Sequence, residues 1–354
     1  MSKTGYKRLG DYIREVDVRN RDLEVKLSQG ISNEKYFQQP KQVAINPYND
    51  KIVRKGQFAF NRATTRNGNK ISIAYREAED CTVSASYCVF DVKNEDILSP
   101  KYLMMWFRRP EFDRYAIYHS HGSAHEYFTF ENMCDVELPI PPIDQQRKIV
   151  AEYNAIQQHI KLNEQLIVKL EETAQAIYRK MFVDGIDKNN LPEGWRMGTL
   201  GEIADFKNGK TVKANDGIIP IYGGNGIVGY TEHSNAKNVI VIGRVGINCG
   251  NALLELNKCW VNDNAMIAIS RSDCIYFLYW LIRGMDLNSQ SEGSSQPLLT
   301  QVILNQQECL IPSYIAIKRF DNQSKILVKI VFLLQNKITK LIELQSLLLA
   351  RMGQ

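Results

Sequence analysis

The stretch Leu138–Met181, LPIPPIDQQRKIVAEYNAIQQHIKLNEQLIVKLEETAQAIYRKM, decides the architecture of this chain. Ile149, Tyr153, Ile156, Ile160, Asn163, Ile167, Leu170, Ala174, Ile177 and Met181 follow one another at alternating steps of four and three. That step pattern puts a single seam along a helix, as in a coiled coil. Asp144, just after Pro141-Pro142, is the candidate N-cap, and Gly185 is the candidate stop. About 39 residues of helix reach roughly 60 Å.

The stretch has a counterpart 171 residues later. Setting Pro141 against Pro312 sets Met181 against Met352, Lys148 against Arg319, Leu170 against Leu341 and Glu172 against Glu343. The second seam is Phe320, Ser324, Leu327, Val331, Leu334, Ile338, Leu341, Gln345, Leu348 and Met352, with Gly353 as its stop. The same offset pairs Gly122-Ser123-Ala124 with Gly293-Ser294-Ser295, and Thr129 with Thr300. Slightly different offsets pair Tyr102, Trp106 and Arg109 with Tyr276, Trp280 and Arg283, and Leu9-Gly10-Asp11 with Leu200-Gly201-Glu202. One unit is used twice, with insertions and deletions in its earlier half.

The expected fold is α+β. Two β-rich globular domains with short helices are separated by two long antiparallel coiled-coil helices, under an internal pseudo-twofold repeat. The boundaries fall at 1–143 for the first domain, 144–184 for the first helix, 185–312 for the second domain and 313–354 for the second helix. Connectivity dictates the antiparallel sense. The first helix carries the chain from one domain to the other, so a second helix packed along it must run back. Asn163 and Leu334 occupy equivalent seam positions near the midpoint. A seam Asn costs stability and fixes register.

Composition narrows the class. The 354 residues carry 44 Lys and Arg against 39 Asp and Glu, a net charge of +5, with 44% hydrophobic and 23% charged residues. A soluble two-domain globular protein fits these values, and wholesale disorder does not. The odd set Cys81, Cys88, Cys134, Cys249, Cys259, Cys274 and Cys309 contains no C-x-x-C pair. It argues against a disulfide framework and for a reducing, cytoplasmic setting. The first ten residues, MSKTGYKRLG, have no apolar core of a signal peptide, and runs such as Ile275–Ile282 are too short to span a bilayer.

The two heads read as loop-rich and mostly β. The first has strand-like runs at Ile52–Phe60, Ile71–Tyr75 and Val83–Val92 before a helix at Tyr102–Arg109. The second has runs at Ile218–Gly226, Val239–Gly243 and Met266–Ser270 before a helix at Ile275–Arg283. Between Lys51 and Arg76 stand Lys51, Arg54, Lys55, Arg62, Arg66, Lys70 and Arg76, with no acidic residue among them. Phe58, Phe60, Thr64, Thr65, Asn67 and Asn69 are interleaved. Cationic and hydroxyl donors suit phosphate oxygens, and Arg or Asn forks suit base edges, so the run has the chemistry of a hairpin that enters a DNA groove. The alternative is a charged strand edge that resists aggregation. Head two has a thinner counterpart in Lys207, Lys210, Lys213, Lys237 and Arg244. The repeated Gly-Ser loop, with His125 in one copy and Gln296 in the other, places small donors at matching positions.

Other motifs are near-misses. Gly224–Gly229 fits G-x-G-x-x-G, but YTEHSNAK after it is no helix to receive a pyrophosphate. Asn208-Gly209-Lys210-Thr211 resembles the end of a P-loop without its leading glycine, where Ala204 stands. Asn46-Pro47-Tyr48 lacks the second proline of an amino-methyltransferase tetrapeptide and any Gly-rich cofactor strand. His119, His121 and His125 lack a companion carboxylate or thiol set. No catalytic centre and no metal site emerges.

The chain as a whole resembles the DNA-specificity subunit of Type I restriction–modification systems. The resemblance rests on LPIPPIDQQRKIV (Leu138–Val150), KIVRKGQFAFNRATTR (Lys51–Arg66), LPEGWRMGTLGEIADFKNGKT (Leu191–Thr211), IPIYGGNGIVGYT (Ile219–Thr231) and VIGRVGINCGN (Val241–Asn251). It departs from the repeat at Ile311-Pro312-Ser313-Tyr314, where one proline stands for three. The resemblance implies a non-catalytic subunit whose two recognition domains each read half of a bipartite DNA site, with the helices setting the spacer. It implies two modification subunits that methylate adenine with S-adenosylmethionine, and restriction subunits that use ATP and Mg²⁺. No cofactor is expected on this chain itself. DNA contact is expected from Arg54, Arg62, Thr65, Arg66, Lys70, Ser123 and His125 in head one. In head two it is expected from Lys207, Lys210, Asn225, Arg244, Ser294, Ser295 and Gln296. A coiled-coil scaffold without a DNA role would explain the helices but not the basic run. A stand-alone methyltransferase would need the cofactor strand that is missing.

Overall fold

The structure, a computed structural model, describes residues 5–40, 47–64, 70–120, 127–289 and 298–353. The chain forms two compact units, Met1–Leu162 with Lys337–Gln354, and Asn163–Asn336. The division between the units falls within each long helix. Each helix contributes one part to each unit, where side chains of its seam join the core of the head.

In the first unit, β1 (Tyr6–Arg8), β2 (Ile13–Val16), β3 (Gly30–Ile31), β4 (Phe37–Gln38), β5 (Lys51–Val53), β6 (Phe58–Asn61), β7 (Ile73–Tyr75), β8 (Cys81–Val83) and β9 (Tyr87–Val92) come first. They are followed by α1 (Pro100–Phe107), α2 (Pro110–Tyr118), α3 (Phe130–Cys134), β10 (Glu137–Pro139) and the long α4 (Ile143–Phe182). The main sheet has the order β2-β9-β6-β7, all antiparallel, and β1 pairs with β10. The run Ile52–Phe60 is two strands rather than one. A turn at Arg54–Gln57, with Gly56 in the left-handed region at φ +94°, separates β5 from β6. Likewise Ser84–Ser86 separates β8 from β9. Aromatic packing fills the space behind the sheet. Phe58 stacks on Phe90 at 4.9 Å, and Phe107 meets Phe112 at 4.7 Å. Val150 and Tyr153 of α4 join this core with Leu348, Leu349 and Met352 near the other end of the chain.

In the second unit, β11 (Arg196–Thr199), α5 (Leu200–Ile203), β12 (Ala204–Asn208), β13 (Ile219–Gly223), β14 (Gly226–Thr231), β15 (Ala236–Gly243), β16 (Ala252–Val261) and β17 (Ala265–Ser270) come first. Then follow α6 (Ile275–Arg283), α7 (Gln301–Gln306), β18 (Glu308–Ile311) and the long α8 (Tyr314–Arg351). The sheet order is β12-β17-β15-β16-β13-β14. Its first four strands repeat, position for position, the order of the first unit, and β11 pairs with β18 as β1 does with β10. The β13–β14 hairpin is an addition, joined to β16 by a parallel pairing at Ile221 and Tyr222. The long β16 lies in the run from Ala252 to Val261 that sequence patterning left unassigned.

The ends of the long helices also differ in detail from expectation. Asp144 is not the N-cap. Helix α4 opens at Ile143, the backbone N–H groups of Gln145 and Gln146 donate to Pro142, and Asp144 sits in the first turn, where its charge favours the helix dipole. In α8 the single proline suffices because Ser313 supplies the cap, its Oγ accepting from Ala316 N at 3.4 Å. Gly185, at φ +76°, lies beyond the end of α4.

Each long helix also caps a short helix of a head. The buried Gln146 accepts from Ser99 N at 2.8 Å, ahead of α1, and donates to the carbonyls of Ile97 and Pro141. Asp321 accepts from Tyr276 N at 2.9 Å and Phe277 N at 3.1 Å, the first turn of α6. Burial raises the Asp321 carboxyl above its ordinary value, against the lowering pull of those two N–H donors. Ser324, read as a seam residue, receives the indole N–H of Trp280 at 3.0 Å. Within the second unit Phe320 of α8 packs on Tyr178 and Phe182 of α4, at 5.6 and 5.5 Å. Within each unit the start of one long helix packs with the end of the other, so the segments that share a unit run antiparallel. Ile156, Ile160, Ile167, Leu170 and Ile177 on α4 are half-buried, as are Leu327, Leu334, Ile338, Leu341 and Leu348 on α8. Ile149 is half-buried against the first head, and Val331 is buried.

Asn163 is buried, and its Nδ2 has no hydrogen-bond partner among the described residues. An unmet buried amide costs about 1–3 kcal/mol. Asn163→Leu is therefore expected to raise the thermal unfolding midpoint by a few degrees in calorimetry. An unchanged or lower midpoint would show that the amide carries no such cost.

Candidate nucleic-acid interface

In head one the strands β6 and β7 form the predicted hairpin, with Phe58 opposite Tyr75 and Phe60 opposite Ile73. Its connecting segment runs from Arg62 to Ser72. Thr65 and Arg66 lie outside the described residues, as do Ser123 and His125 in head one and Ser294, Ser295 and Gln296 in head two. The exit of the segment is clamped from three sides. Lys70 pairs with Glu34 at 2.7 Å, Ile71 N donates to Asp113 Oδ1 at 3.1 Å, and Ser72 Oγ donates to Asn33 Oδ1 at 2.7 Å. Asp113 in turn pairs at 2.7 Å with Lys35, which is only 6% exposed and has φ +66°. The Lys35 ammonium also bonds the Phe107 carbonyl. Burial pushes its pKa below the ordinary lysine value, with Asp113 pulling the other way. Neither Lys35 nor Asp113 carries a sequence signal of this role. They come from segments about 40 and 80 residues apart from their partners, a relation that only the fold creates.

The basic run is less free than its sequence suggests. Lys51 is buried against Asp17 at 3.3 Å. Arg54 is shared between Glu24 at 3.1 Å and Asp80 at 3.0 Å. Arg76 is buried, donating to the Glu79 carbonyl and to Gln29 and lying over the Phe37 ring. The acids that neutralise the run come from other segments that pack alongside it, so a sequence window free of acid is not a surface free of acid. Lys55 and Arg62 have no ion pair among the described residues. Arg62 is exposed, and its only side-chain hydrogen bond among the described residues is from Nε to the Ser86 carbonyl at 2.9 Å.

Head two has fewer cations, but they are more available. Lys207 on β12 and Lys210 just beyond it are exposed and make no ion pair among the described residues. The Lys210 carbonyl is fixed by the Trp260 indole at 2.6 Å. Gly209 lets this segment pass against Asn262, whose carbonyl oxygen would lie 1.9 Å from an added Cβ. Asn225 is exposed in the turn between β13 and β14, so the G-x-G-x-x-G stretch is a hairpin turn running into a strand. Arg244 follows β15. Its Nε is buried, with no hydrogen-bond partner among the described residues. His119 stacks on Tyr115 at 4.2 Å, and no described group of His, Cys, Asp or Glu could hold a metal. Among the described residues no helix is long and apolar enough to cross a membrane.

Two sheets share one strand order, and an arginine, Arg62 or Arg244, follows the equivalent strand in each, which defines a tandem-repeat protein of two related units. Residues 12–172 and 192–346 each match the family described as the Type I restriction modification DNA specificity domain, and the chain belongs to that family. It is 30% identical over 136 residues to the Type I restriction enzyme EcoprrI specificity subunit of Escherichia coli, covering 36% of this chain and 34% of that protein. It is 26% identical over 136 residues to the HindI specificity subunit of Haemophilus influenzae, covering 38% of this chain and 29% of that one. The matched part thus spans about a third of each of these relatives. Its fold is similar to the crystal structure of the Type I restriction–modification S subunit from M. genitalium, at a TM-score of 0.63 and 16% identity, covering 99% of this chain and 96% of that one.

The clamp on the hairpin exit yields a test. Asp113→Asn leaves the Lys35 ammonium buried without its counter-charge, a loss of about 3–5 kcal/mol for a fully buried pair. Faster amide hydrogen exchange at Ile71 and Ser72, with a lower unfolding midpoint, is the expected result. Unaltered exchange there would show that the pair does not hold the segment.

Proposed function

We propose that this chain is the sequence-specificity subunit of a Type I restriction–modification complex, each unit reading one half of a bipartite double-stranded DNA site. The observation that carries it is the repeat itself. One strand order serves twice, and after the equivalent strand each copy carries an arginine, Arg62 or Arg244, with no ion pair among the described residues. A reader of two different half-sites needs one constant scaffold used twice with different loops. In this reading the chain does no chemistry. Adenine methylation with S-adenosylmethionine belongs to two modification subunits, and ATP- and Mg²⁺-dependent translocation and cleavage belong to restriction subunits in the cytoplasm. The long helices suit protein partners. Leu162, Ile342, Leu344 and Leu347 in the first unit, and Leu166, Val168, Ile326 and Leu333 in the second, are apolar yet exposed on α4 and α8. Exposed apolar side chains on helices mark protein-interaction surfaces.

The deciding experiment is methylome sequencing of a host that expresses this chain with its modification subunit. A methylated asymmetric motif of two parts is expected, and genome-wide methylation without a motif, or none at all, would sink the proposal. The helices supply a second test. Seven residues inserted after Gln165 and after Asn336, equivalent points of the repeat, lengthen each helix by about 10 Å, or roughly 3 base pairs of DNA. The spacer in the methylated motif should grow accordingly, with both half-sites unchanged. A spacer of constant length would show that the helices do not set it.

A further inference from the structure

Resting on that function, the geometry points to Arg62 and Arg244 as equivalent residues, one per head, each of which reads a guanine in its own half-site. The sequence repeat does not align them, because they are 182 residues apart and the repeat runs at 171. The backbone does. Arg62 follows β6 and Arg244 follows β15, the same strand in the shared order. The residue before each arginine pairs with the first residue of the neighbouring strand, Asn61 with Tyr87 of β9 and Gly243 with Ala265 of β17. The carbonyl of each arginine accepts the N–H of a matching residue, Phe128 for Arg62 and Leu299 for Arg244, both at 2.9 Å. The residue after each arginine bridges to the one just before that donor, Ala63 to Tyr127 and Val245 to Leu298. Tyr127 and Leu298 stand 171 apart, at the repeat offset. A third segment completes each node, the turn ahead of β9 or β17. The Ser86 carbonyl accepts the Arg62 side chain, and the Asn264 carbonyl accepts the Arg244 backbone N–H at 3.0 Å.

The neighbouring segments thus fix the backbone at Arg244, and the backbone and side chain together at Arg62, while the residues after each arginine differ between heads, Ala63-Thr64 against Val245-Gly246. Gly243 is part of the fixing, since an added Cβ would lie 2.1 Å from the Asn248 carbonyl oxygen. Both guanidinium groups keep unused donors. Arg62 spends only Nε, and Arg244 spends none among the described residues. A rigidly based guanidinium with a free fork matches the O6 and N7 acceptors of guanine. Other cations of these surfaces, such as Arg54 and Lys70, are already held by carboxylates.

The test uses the assembled complex of this chain with its modification subunit, carrying Arg62→Gln, Arg62→Lys, Arg244→Gln or Arg244→Lys. Motif and affinity are read by methylome sequencing and by binding titrations at several salt concentrations. Each Gln variant should lose about tenfold or more of its discrimination at one guanine of one half-site, and the two residues should affect opposite half-sites. The Lys variants should lose the same discrimination while keeping overall affinity, since an ammonium cannot form the fork. The inference is overturned if Lys preserves the motif while Gln weakens binding to all sequences alike and flattens the salt dependence by about one unit of slope, the mark of a phosphate contact. It is also overturned if both residues act on one half-site, or if the motif does not change. A wild-type complex that shows no motif would defeat the proposed function instead, before any variant is compared.

Discussion

The docking of helix ends onto the heads is the constraint on which this molecule rests. A long helix with an apolar seam cannot stand in water alone, and a small β-rich head has too few layers to close its own core. Each problem answers the other. Val150 and Tyr153 finish one core, and Tyr178, Phe182 and Phe320 finish the other. The polar part of the joint is as specific as the apolar part. Gln146 and Asp321 meet backbone groups that the short helices α1 and α6 leave unpaired at their starts, so the direction of each head's first helix is tied to the long helix beneath it.

Much of this was legible in the sequence because periodicity is a local property. The four-three step, the repeat offset and the antiparallel sense all follow from the spacing of apolar residues and the order of segments. The failures lie where local pattern and three-dimensional neighbourhood part company. The acid-free run from Lys51 to Arg76 drew its counter-charges from Asp17, Glu24, Glu34 and Asp80, none of them within the window's charge count except by folding. Ser324 fell on the seam by spacing, yet its hydroxyl serves Trp280. Turns broke two apparent strands because Arg54–Gln57 and Ser84–Ser86 carry no stronger punctuation than a single glycine at Gly56.

The same contrast explains why the arginines at the strand ends escaped alignment. Residue-by-residue comparison at one offset works for the helices, where nothing can be inserted without breaking the seam. It fails in the heads, where loops between fixed strands change length freely. Equivalence there is preserved in the pairing of strands rather than in numbering. Lys207 and Lys210 illustrate the other side of this, since sparse cations with no acid beside them present more charge to a partner than a dense run that is already neutralised.

The hairpin β13–β14, found among the described residues in the second unit only, bears on how the sheet edge is presented. In the first unit the outer strand β7 has three residues, too short a ladder to recruit a foreign strand. Its counterpart β16 has ten, and a bare edge of that length is a template for aggregation. The added hairpin pairs Ile221 and Tyr222 with Trp260 and Val261 at the end of β16 and puts β14, six residues long, outermost in the sheet order. The second head thus carries a sheet of six strands whose outermost strand is not its longest.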